Sequence, residues 1–315
     1  MLIKSKKLIS IVVPCFNEEE VLPFFYEEMK KEETKMDYAN FEYVFVNDGS
    51  KDKTLEVLKG LAAKDKSVHY ISFSRNFGKE AAMFAGLEHT KGDLVTIMDV
   101  DLQDPPEMLL EMYDGIKKEH YDCVALYTKS HEDYGLIRKN LTNIWYKLSS
   151  KFLSSNQKPG ARDFRLMNRQ MVDSLLDMPE YNRYIKGMFD FVGFNTKWIA
   201  YDAPKRNVGT SKFNLKKLIK YAIEGIIAFS TRPLIIAAMI GFIFFIISFV
   251  MIFVIILKTL IFGDPVSGWP STICIVFFVS GVQLFCLGIM GAYLSKAYLE
   301  TKNRPVYIIK ETDKK

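Results

Sequence analysis

Leu94-Val95-Thr96-Ile97-Met98-Asp99-Val100-Asp101-Leu102-Gln103-Asp104-Pro105-Pro106-Glu107 is the stretch whose reading decides the fold. Its first five residues form a short apolar run of the kind that makes a buried strand. Two carboxylates one residue apart at the exit of that strand can share a divalent cation. Hard cations such as Mg²⁺ or Mn²⁺ take carboxylate oxygens together with substrate phosphates, so one or two aspartates suffice as protein ligands. Asp99 and Asp101 are therefore the candidate metal ligands, Gln103 can add a carbonyl oxygen, and Pro105-Pro106 stiffen the entry to the next helix. A cation so held suits a reaction that releases a diphosphate, as from a nucleotide sugar. The competing reading is a solvated turn; the position after a buried strand argues against it.

Outward from this stretch, Leu8 to Val13, Tyr43 to Val46, His69 to Phe73 and Cys123 to Tyr127 are further short runs rich in Val and Ile. They alternate with helical patterns at Glu20 to Glu33, Thr54 to Lys64, Lys79 to His89 and Pro106 to Glu119. Strands alternating with helices predict an α/β domain built on a doubly wound, mostly parallel sheet, in which ligands sit at the carboxyl ends of the strands. Pro14-Cys15-Phe16-Asn17-Glu18, Asn47-Asp48-Gly49-Ser50 and Asp99-Val100-Asp101 all fall at such ends. Asp48 there either forms the turn into the next helix or accepts from base and ribose donors, and the two roles are compatible. Glu18 faces the same rim.

At 315 residues the chain exceeds the usual size of one domain, and its 49% hydrophobic and 14% aromatic content excludes disorder. Residues 1–220 mix both charge signs, whereas Leu234 to Leu257 carries none and Ile273 to Leu294 has Gln283 as its one strongly polar side chain. At helical rise the first run reaches roughly 36 Å, against a hydrocarbon core of about 30 Å, so two transmembrane helices are expected. Lys205, Arg206, Lys212, Lys216, Lys217, Lys220 and Arg232 precede the first run; Lys296, Lys302, Arg304 and Lys310 follow the second. The connecting loop has only Lys258 against Asp264, which predicts both termini in the cytoplasm. The apolar stretch after Ser10 is short and ends at Pro14, arguing against a signal peptide.

The net charge of +5 concentrates beside the first span, favouring anionic lipid or phosphate over nucleic acid. Cys15, Cys123, Cys274 and Cys286 show neither metal-ligand nor disulfide spacing and read as packing residues. Residues 136–152 and 215–226 are basic amphipathic patterns suited to a bilayer interface, the first equally suited to packing on a core. The expected division is a cytoplasmic domain over 1–213, an interfacial helix over 214–232, and a membrane part over 233–315 that ends in a cytoplasmic tail. Gly281, Gly288 and Gly291 would allow close helix approach, and hence a homo-oligomer.

Five segments together carry a resemblance. Ile11 to Glu19, Val46 to Ser50, Ser74 to Lys79, Asp99 to Glu107 and Arg206 to Phe213 resemble family 2 glycosyltransferases, in the branch of polyisoprenyl-phosphate glycosyltransferases that includes bacterial undecaprenyl-phosphate (bactoprenol) glucosyltransferases and, more distantly, dolichol-phosphate mannose synthases. Essentially the whole chain is covered, the two spans included. The resemblance implies a GT-A fold, a divalent metal, inversion at the anomeric carbon and a bacterial plasma-membrane location. The donor would be a nucleotide sugar, most simply UDP-glucose, and the acceptor undecaprenyl phosphate, yielding a lipid-linked sugar for a cell-surface polymer.

By position, the resemblance gives Pro14, Phe16, Glu18, Asp48, Lys79, Asp99, Val100, Asp101, Gln103, Arg206 and Lys212 to the nucleotide sugar. It gives Arg138, Thr142 and Arg206 to the acceptor phosphate, and catalytic roles to Asp101 and Asp163. Where relatives carry an arginine after the fifth strand this chain reads Ala125-Leu126-Tyr127-Thr128-Lys129, leaving Lys129 as a point charge. Asp163 matches the aspartate often named as the base. A phosphate monoester, with a second pKa near 6, is already mostly dianionic at neutral pH, so Asp163 is expected instead to orient cations such as Arg162 or Arg165, or to stabilise an oxocarbenium-like sugar. UDP-N-acetylglucosamine, UDP-galactose and GDP-mannose are alternative donors, and a non-catalytic nucleotide-sugar-binding membrane subunit is the rival from another class. A processive synthase is disfavoured by two spans and by the lack of a Gln-x-x-Arg-Trp segment.

Overall fold

The computed structural model describes residues 6–128, 158, 160–178, 180–181, 183–202, 227, 231–262 and 268–314. The five expected strands and four expected helices all form: β1 (Lys7–Cys15), α1 (Leu22–Lys35), β2 (Ala39–Asn47), α2 (Thr54–Lys64), β3 (Val68–Phe73), α3 (Lys79–Glu88), β4 (Leu94–Ile97), α4 (Met108–Lys117) and β5 (Cys123–Thr128). Beyond them come β6 (Ala161–Asn168), α5 (Arg169–Leu176), α6 (Ile185–Phe191), β7 (Thr196–Tyr201), α7 (Arg232–Phe262), α8 (Trp269–Thr301) and β8 (Ile309–Thr312).

The strands form one sheet in the order β7-β5-β6-β4-β1-β2-β3-β8. Its centre, β4-β1-β2-β3, is parallel as expected. The sheet as a whole is mixed, because β6 enters antiparallel between β4 and β5 and β8 lies antiparallel outside β3. Alternation along β2 shows how the sequence makes two buried faces: Tyr43 and Phe45 join Phe25, Met29 and Leu58 on one side, while Val44 and Val46 meet Ala81, Ala82 and Ala85 of α3 on the other. The approach of α3 to the sheet is close, since a Cβ on Gly86 would lie 2.2 Å from Val12 Cγ1.

The chain divides into two compact units, residues Met1–Leu218 with Arg304–Lys315, and Ile219–Asn303. The tail that the expected division places with the membrane part belongs to the sheet unit from Arg304 onward, where Ile309–Thr312 pairs with β3. Ile-Lys-Glu-Thr has no apolar run and too few residues to signal a strand; edge pairing and a stack of Tyr307 on Phe73, ring centroids 5.0 Å apart, hold it.

In the second unit, contacts of Phe244 with Phe278 and of Ala237 with Cys286 make α7 and α8 antiparallel neighbours. Their spans Pro233–Met251 and Ile275–Thr301 are long and apolar enough to cross a membrane, and only 6% and 0% of each is buried. A core helix of a soluble protein would hide this surface; here Phe242, Phe249, Phe277 and Phe285 are bare. The interfacial helix expected over 214–232 and the amphipathic pattern over 136–152 lie almost wholly outside the described residues.

Candidate active site

The register brings the informative motifs to one rim. Cys15 pairs with Asn47, and Ile97 with Val12, so the loops after β1, β2 and β4 leave the sheet on the same side. The first two loops are tied together. The Asn17 N–H donates to Ser50 Oγ, the Lys51 N–H to Asn17 Oδ1, the Glu19 N–H to Asp52 Oδ2 and the Lys53 N–H to Glu19 Oε2, all within 2.7–3.2 Å. Asn17 holds a positive φ of 56°, which Asn tolerates better than most residues. Phe16 projects from this rim 41% exposed, an apolar ring with no core to fill, while Pro14 is half-buried. Glu18 donates its N–H to Thr54 Oγ1 and accepts at its carbonyl from Val21 and Leu22 as the chain turns into α1.

Asp48 is buried, and its two carboxylate oxygens accept from the N–H groups of Phe77 and Gly78 at 2.6 and 2.9 Å. Burial nevertheless raises its pKa. It therefore fastens the loop between β3 and α3, and a ligand would meet only its remaining lone pairs. Gly49 lets that loop approach: a Cβ there would sit 2.4 Å from the Arg75 carbonyl carbon, at a φ of 66°.

After β4 the pair of aspartates splits in role. The Asp101 carboxylate is exposed and accepts from the Gln103 N–H at 3.2 Å, across a Leu102 held at a φ of 53°. Left-handed backbone at a leucine is strained and is kept only where surroundings enforce it. Val100 is buried in the hydrophobic core cluster. Asp104, which stands in the same stretch of sequence but has no expected role there, is buried, with Arg162 Nε at 2.7 Å and the Tyr201 hydroxyl at 2.9 Å on one oxygen. Burial raises the Asp104 pKa; the Arg162 guanidinium works against that shift.

Asp99 and Asp163 meet because β6 runs antiparallel to β4. Ile97 pairs with Arg165, and two residues further along each strand stand Asp99 and Asp163. Lys79, at the start of α3, bridges them, its ammonium 2.6 Å from Asp99 Oδ1 and 2.7 Å from Asp163 Oδ2. Lys186 on α6 lies 3.8 Å from the other Asp163 oxygen. Desolvation alone would lower the Lys79 pKa, but the Asp163 and Asp99 carboxylates raise it. Desolvation alone would raise the Asp163 pKa, yet Lys79 and Lys186 hold it well below the usual carboxylate range. Next to Lys79, burial pushes Glu80 up to about 7 while its carboxylate accepts the Ile185 N–H. Of the two arginines expected beside Asp163, Arg162 is paired with Asp104, whereas Arg165, its guanidinium 3.6 Å over the Phe189 ring, does act on Asp163, its charge helping to lower that carboxyl's pKa behind Lys79 and Lys186.

Among the described residues no group of three or more His, Cys, Asp or Glu could hold a metal ion unaided. Asp99, Asp101 and the Gln103 amide fit a hard divalent cation that takes its remaining ligands from substrate phosphates. The ammonium seated on Asp99 shows that this carboxylate already holds a cation. Lys129, Arg138, Thr142, Arg206 and Lys212 lie outside the described residues. Glu80 and Asp104 adjoin predicted site residues in sequence, but Lys186, and the partners Ile185 and Arg162 that hold those two carboxyls, reach the site only through α6 and the antiparallel β6, and neither placement is periodic in sequence.

Residues 10–176 match Glycosyl transferase family 2. The bactoprenol glucosyl transferase of Shigella phage SfX is 42% identical over 302 residues, covering 96% of this chain and 98% of the relative. The prophage bactoprenol glucosyl transferase homolog of Escherichia coli strain K12 is 40% identical over 306 residues, covering 97% and 99%. Mannosyl-3-phosphoglycerate synthase from Rubrobacter xylanophilus shares the fold with a TM-score of 0.50 at 18% identity, over 72% of this chain and 74% of that one. The sheet is that of a GT-A enzyme, and the chain belongs to glycosyl transferase family 2.

Proposed function

We propose that the chain transfers a hexose from a nucleotide sugar, UDP-glucose first among donors, to a polyprenyl phosphate at a membrane surface, with inversion. The observation that carries this reading is the convergence of Asp99, two residues before Asp101, with Lys79, Lys186 and Asp163 at the carboxyl rim of the sheet. A second support is that relatives named as bactoprenol glucosyl transferases align over nearly the full chain, apolar helices included.

In this scheme a phosphate oxygen of the acceptor attacks the anomeric carbon, the bond from that carbon to the nucleoside diphosphate breaks, and the diphosphate leaves with the electron pair. A divalent cation on Asp99 and Asp101 supplies neutralisation of the leaving diphosphate when bound. Phe16 offers its bare ring to the base. Asp163 stays ionised and orients the ammonium groups of Lys79 and Lys186 towards incoming phosphate. No base is needed, because a phosphate dianion is nucleophilic without proton loss. In this reading both ends of the helical pair face the cytoplasm, as the lysines and arginines that precede the first span and follow the second suggest.

The test is incubation of the purified full chain with undecaprenyl phosphate and a panel of UDP-glucose, UDP-N-acetylglucosamine, UDP-galactose and GDP-mannose, with Mg²⁺, Mn²⁺ or chelator. A hexosyl lipid identified by mass, formed from UDP-glucose and abolished by chelator, is the expected result. Full-speed transfer in excess chelator would refute the metal assignment, and a different productive donor would replace UDP-glucose.

A further inference from the structure

We infer that Lys79 is an internal gate on the metal site: its ammonium occupies the cation seat on Asp99, and a divalent ion enters only by displacing it onto Asp163. The inference deepens the proposed function and rests on its assignment of Asp99 to the metal. Lys79 is the first residue of α3, fixed at its base by Gly78, whose N–H is held by Asp48, so the side chain starts from a rigid point. Its ammonium touches Asp99 and Asp163 at nearly equal distance, so leaving one carboxylate keeps the other. The Asp163 oxygen not bonded to Lys79 is buried and accepts no hydrogen bond, so Asp163 has capacity for a second cationic partner beside Lys186 at 3.8 Å. Asp99 is accessible enough for exchange, 29% exposed at its side chain.

Competition arises from charge. With the Lys79 ammonium on Asp99 Oδ1, a divalent ion bound to the same carboxylate is repelled by it, so each lowers the apparent affinity of the other. A diphosphate delivered with the metal tips the exchange, because it brings ligands for the ion that Lys79 cannot replace. Metal binding without nucleotide is then weak, and the ammonium moved towards Asp163 and Lys186 makes that corner more positive when the donor is in place. Such a gate ties the capture of an anionic acceptor to prior loading of donor and metal.

The experiment measures Mn²⁺ binding to the full chain in lipid nanodiscs by the loss of the free-ion electron paramagnetic resonance signal, without nucleotide and again with UDP. Lys79→Met keeps the length of the stem and removes the charge, Lys79→Arg keeps the charge, and Lys186→Met removes a neighbouring charge that does not touch Asp99. Removing a competing opposite charge should tighten Mn²⁺ binding to Lys79→Met by on the order of tenfold without nucleotide. Lys79→Arg and Lys186→Met should stay within about threefold of wild type, and the advantage of Lys79→Met should shrink with UDP present. Unchanged or weaker binding in Lys79→Met, with wild-type thermal stability, overturns the gate. Asp99→Asn separates the gate from the metal site: if it binds Mn²⁺ as wild type does, the metal assignment itself fails, whereas if it loses Mn²⁺ and Lys79→Met gains none, only the gate fails. Should Lys79→Met not fold, Lys79→Gln carries the same measurement, with tighter binding expected and unchanged or weaker binding overturning the gate.

Discussion

Two lysine–carboxylate clusters sit in the same sheet unit and differ in almost everything but their chemistry. In one, Lys314 and Glu42 are 7% and 9% exposed at their side chains. Every group there is satisfied: the Lys314 ammonium also donates to the His89 carbonyl, and Glu42 accepts from Ser10 Oγ and the Lys91 N–H. In the other, Lys79, Asp99 and Asp163 are 42%, 29% and 16% exposed, and one buried Asp163 oxygen accepts no hydrogen bond and has the Lys186 ammonium only at 3.8 Å. Saturation and closure mark an ion pair that fixes structure; open valence and access mark one that can exchange partners. The first cluster pins the returning C-terminus to the sheet, and the second stands where the strands of a GT-A domain present their ligands.

The sharpest way to break the contrast is Lys314→Met. Removing one member of a buried pair leaves an uncompensated charge, so stability should fall by about 3–5 kcal/mol, read from denaturant midpoints of the full chain. A pH signature accompanies it. Burial pushes Glu42 up, but its bonds to Lys314 and Ser10 bring it below the ordinary carboxylate value, so its contribution is present at neutral pH and lost as pH falls through that lowered value. Without Lys314, burial dominates and the sign inverts: stability should fall as pH rises from about 5 to about 8. A loss confined to activity, with stability intact, would move Lys314 into the functional class.

This closed cluster is also where sequence reading stops. β1 to β5 and α1 to α4 are local patterns, and their alternation and turn residues place Asp48, Asp99 and Asp101 on the correct rim from the sequence alone. β8 is four residues without an apolar run, and Glu42 and Lys314 are 272 positions apart. Nothing periodic announces that pairing. The candidate site is legible by halves for the same reason. Asp99 ends a strand and is visible; its meeting with Asp163 depends on β6 entering antiparallel. Resemblance marks Asp163, and sequence neighbourhood suggests Arg162 and Arg165 as its cations; Arg165 does act on it, but Arg162 pairs with Asp104, and the ammonium groups in contact, Lys79 and Lys186, are near only in space.

Glu80 tests the open cluster more gently. Its carboxyl is raised by burial from 4.5 to about 7, with Asp163 adding to the rise. The unfolded chain therefore releases this proton near pH 4.5 and the folded chain near 7, so wild-type stability falls with rising pH across that window and levels above it. Glu80→Gln keeps a carbonyl oxygen for the Ile185 N–H and removes the titration. The variant should be more stable than wild type at about pH 8 by about 1–2 kcal/mol, after allowance for partial solvent screening, with the gain vanishing near pH 5. A gain equal at both pH values would show that packing rather than charge governs Glu80.

The smallest expected effect discriminates most finely, since it asks whether the second cluster moves protons or only cations. Asp163 is held ionised by Lys79 and Lys186 far below the range in which enzymes are assayed. A carboxylate that does not pick up a proton in that range cannot produce the acidic limb of a pH–rate profile. In Asp163→Asn the two ammonium groups keep their stems but lose the charge that aims them, so turnover at about pH 7.5 should fall about fivefold, roughly 1 kcal/mol. The acidic limb should remain in place near pH 6, because it belongs to the acceptor phosphate. Were the limb to vanish along with the rate, Asp163 would be the group that titrates, and the boundary between exchangeable and catalytic charge would have to be redrawn through it.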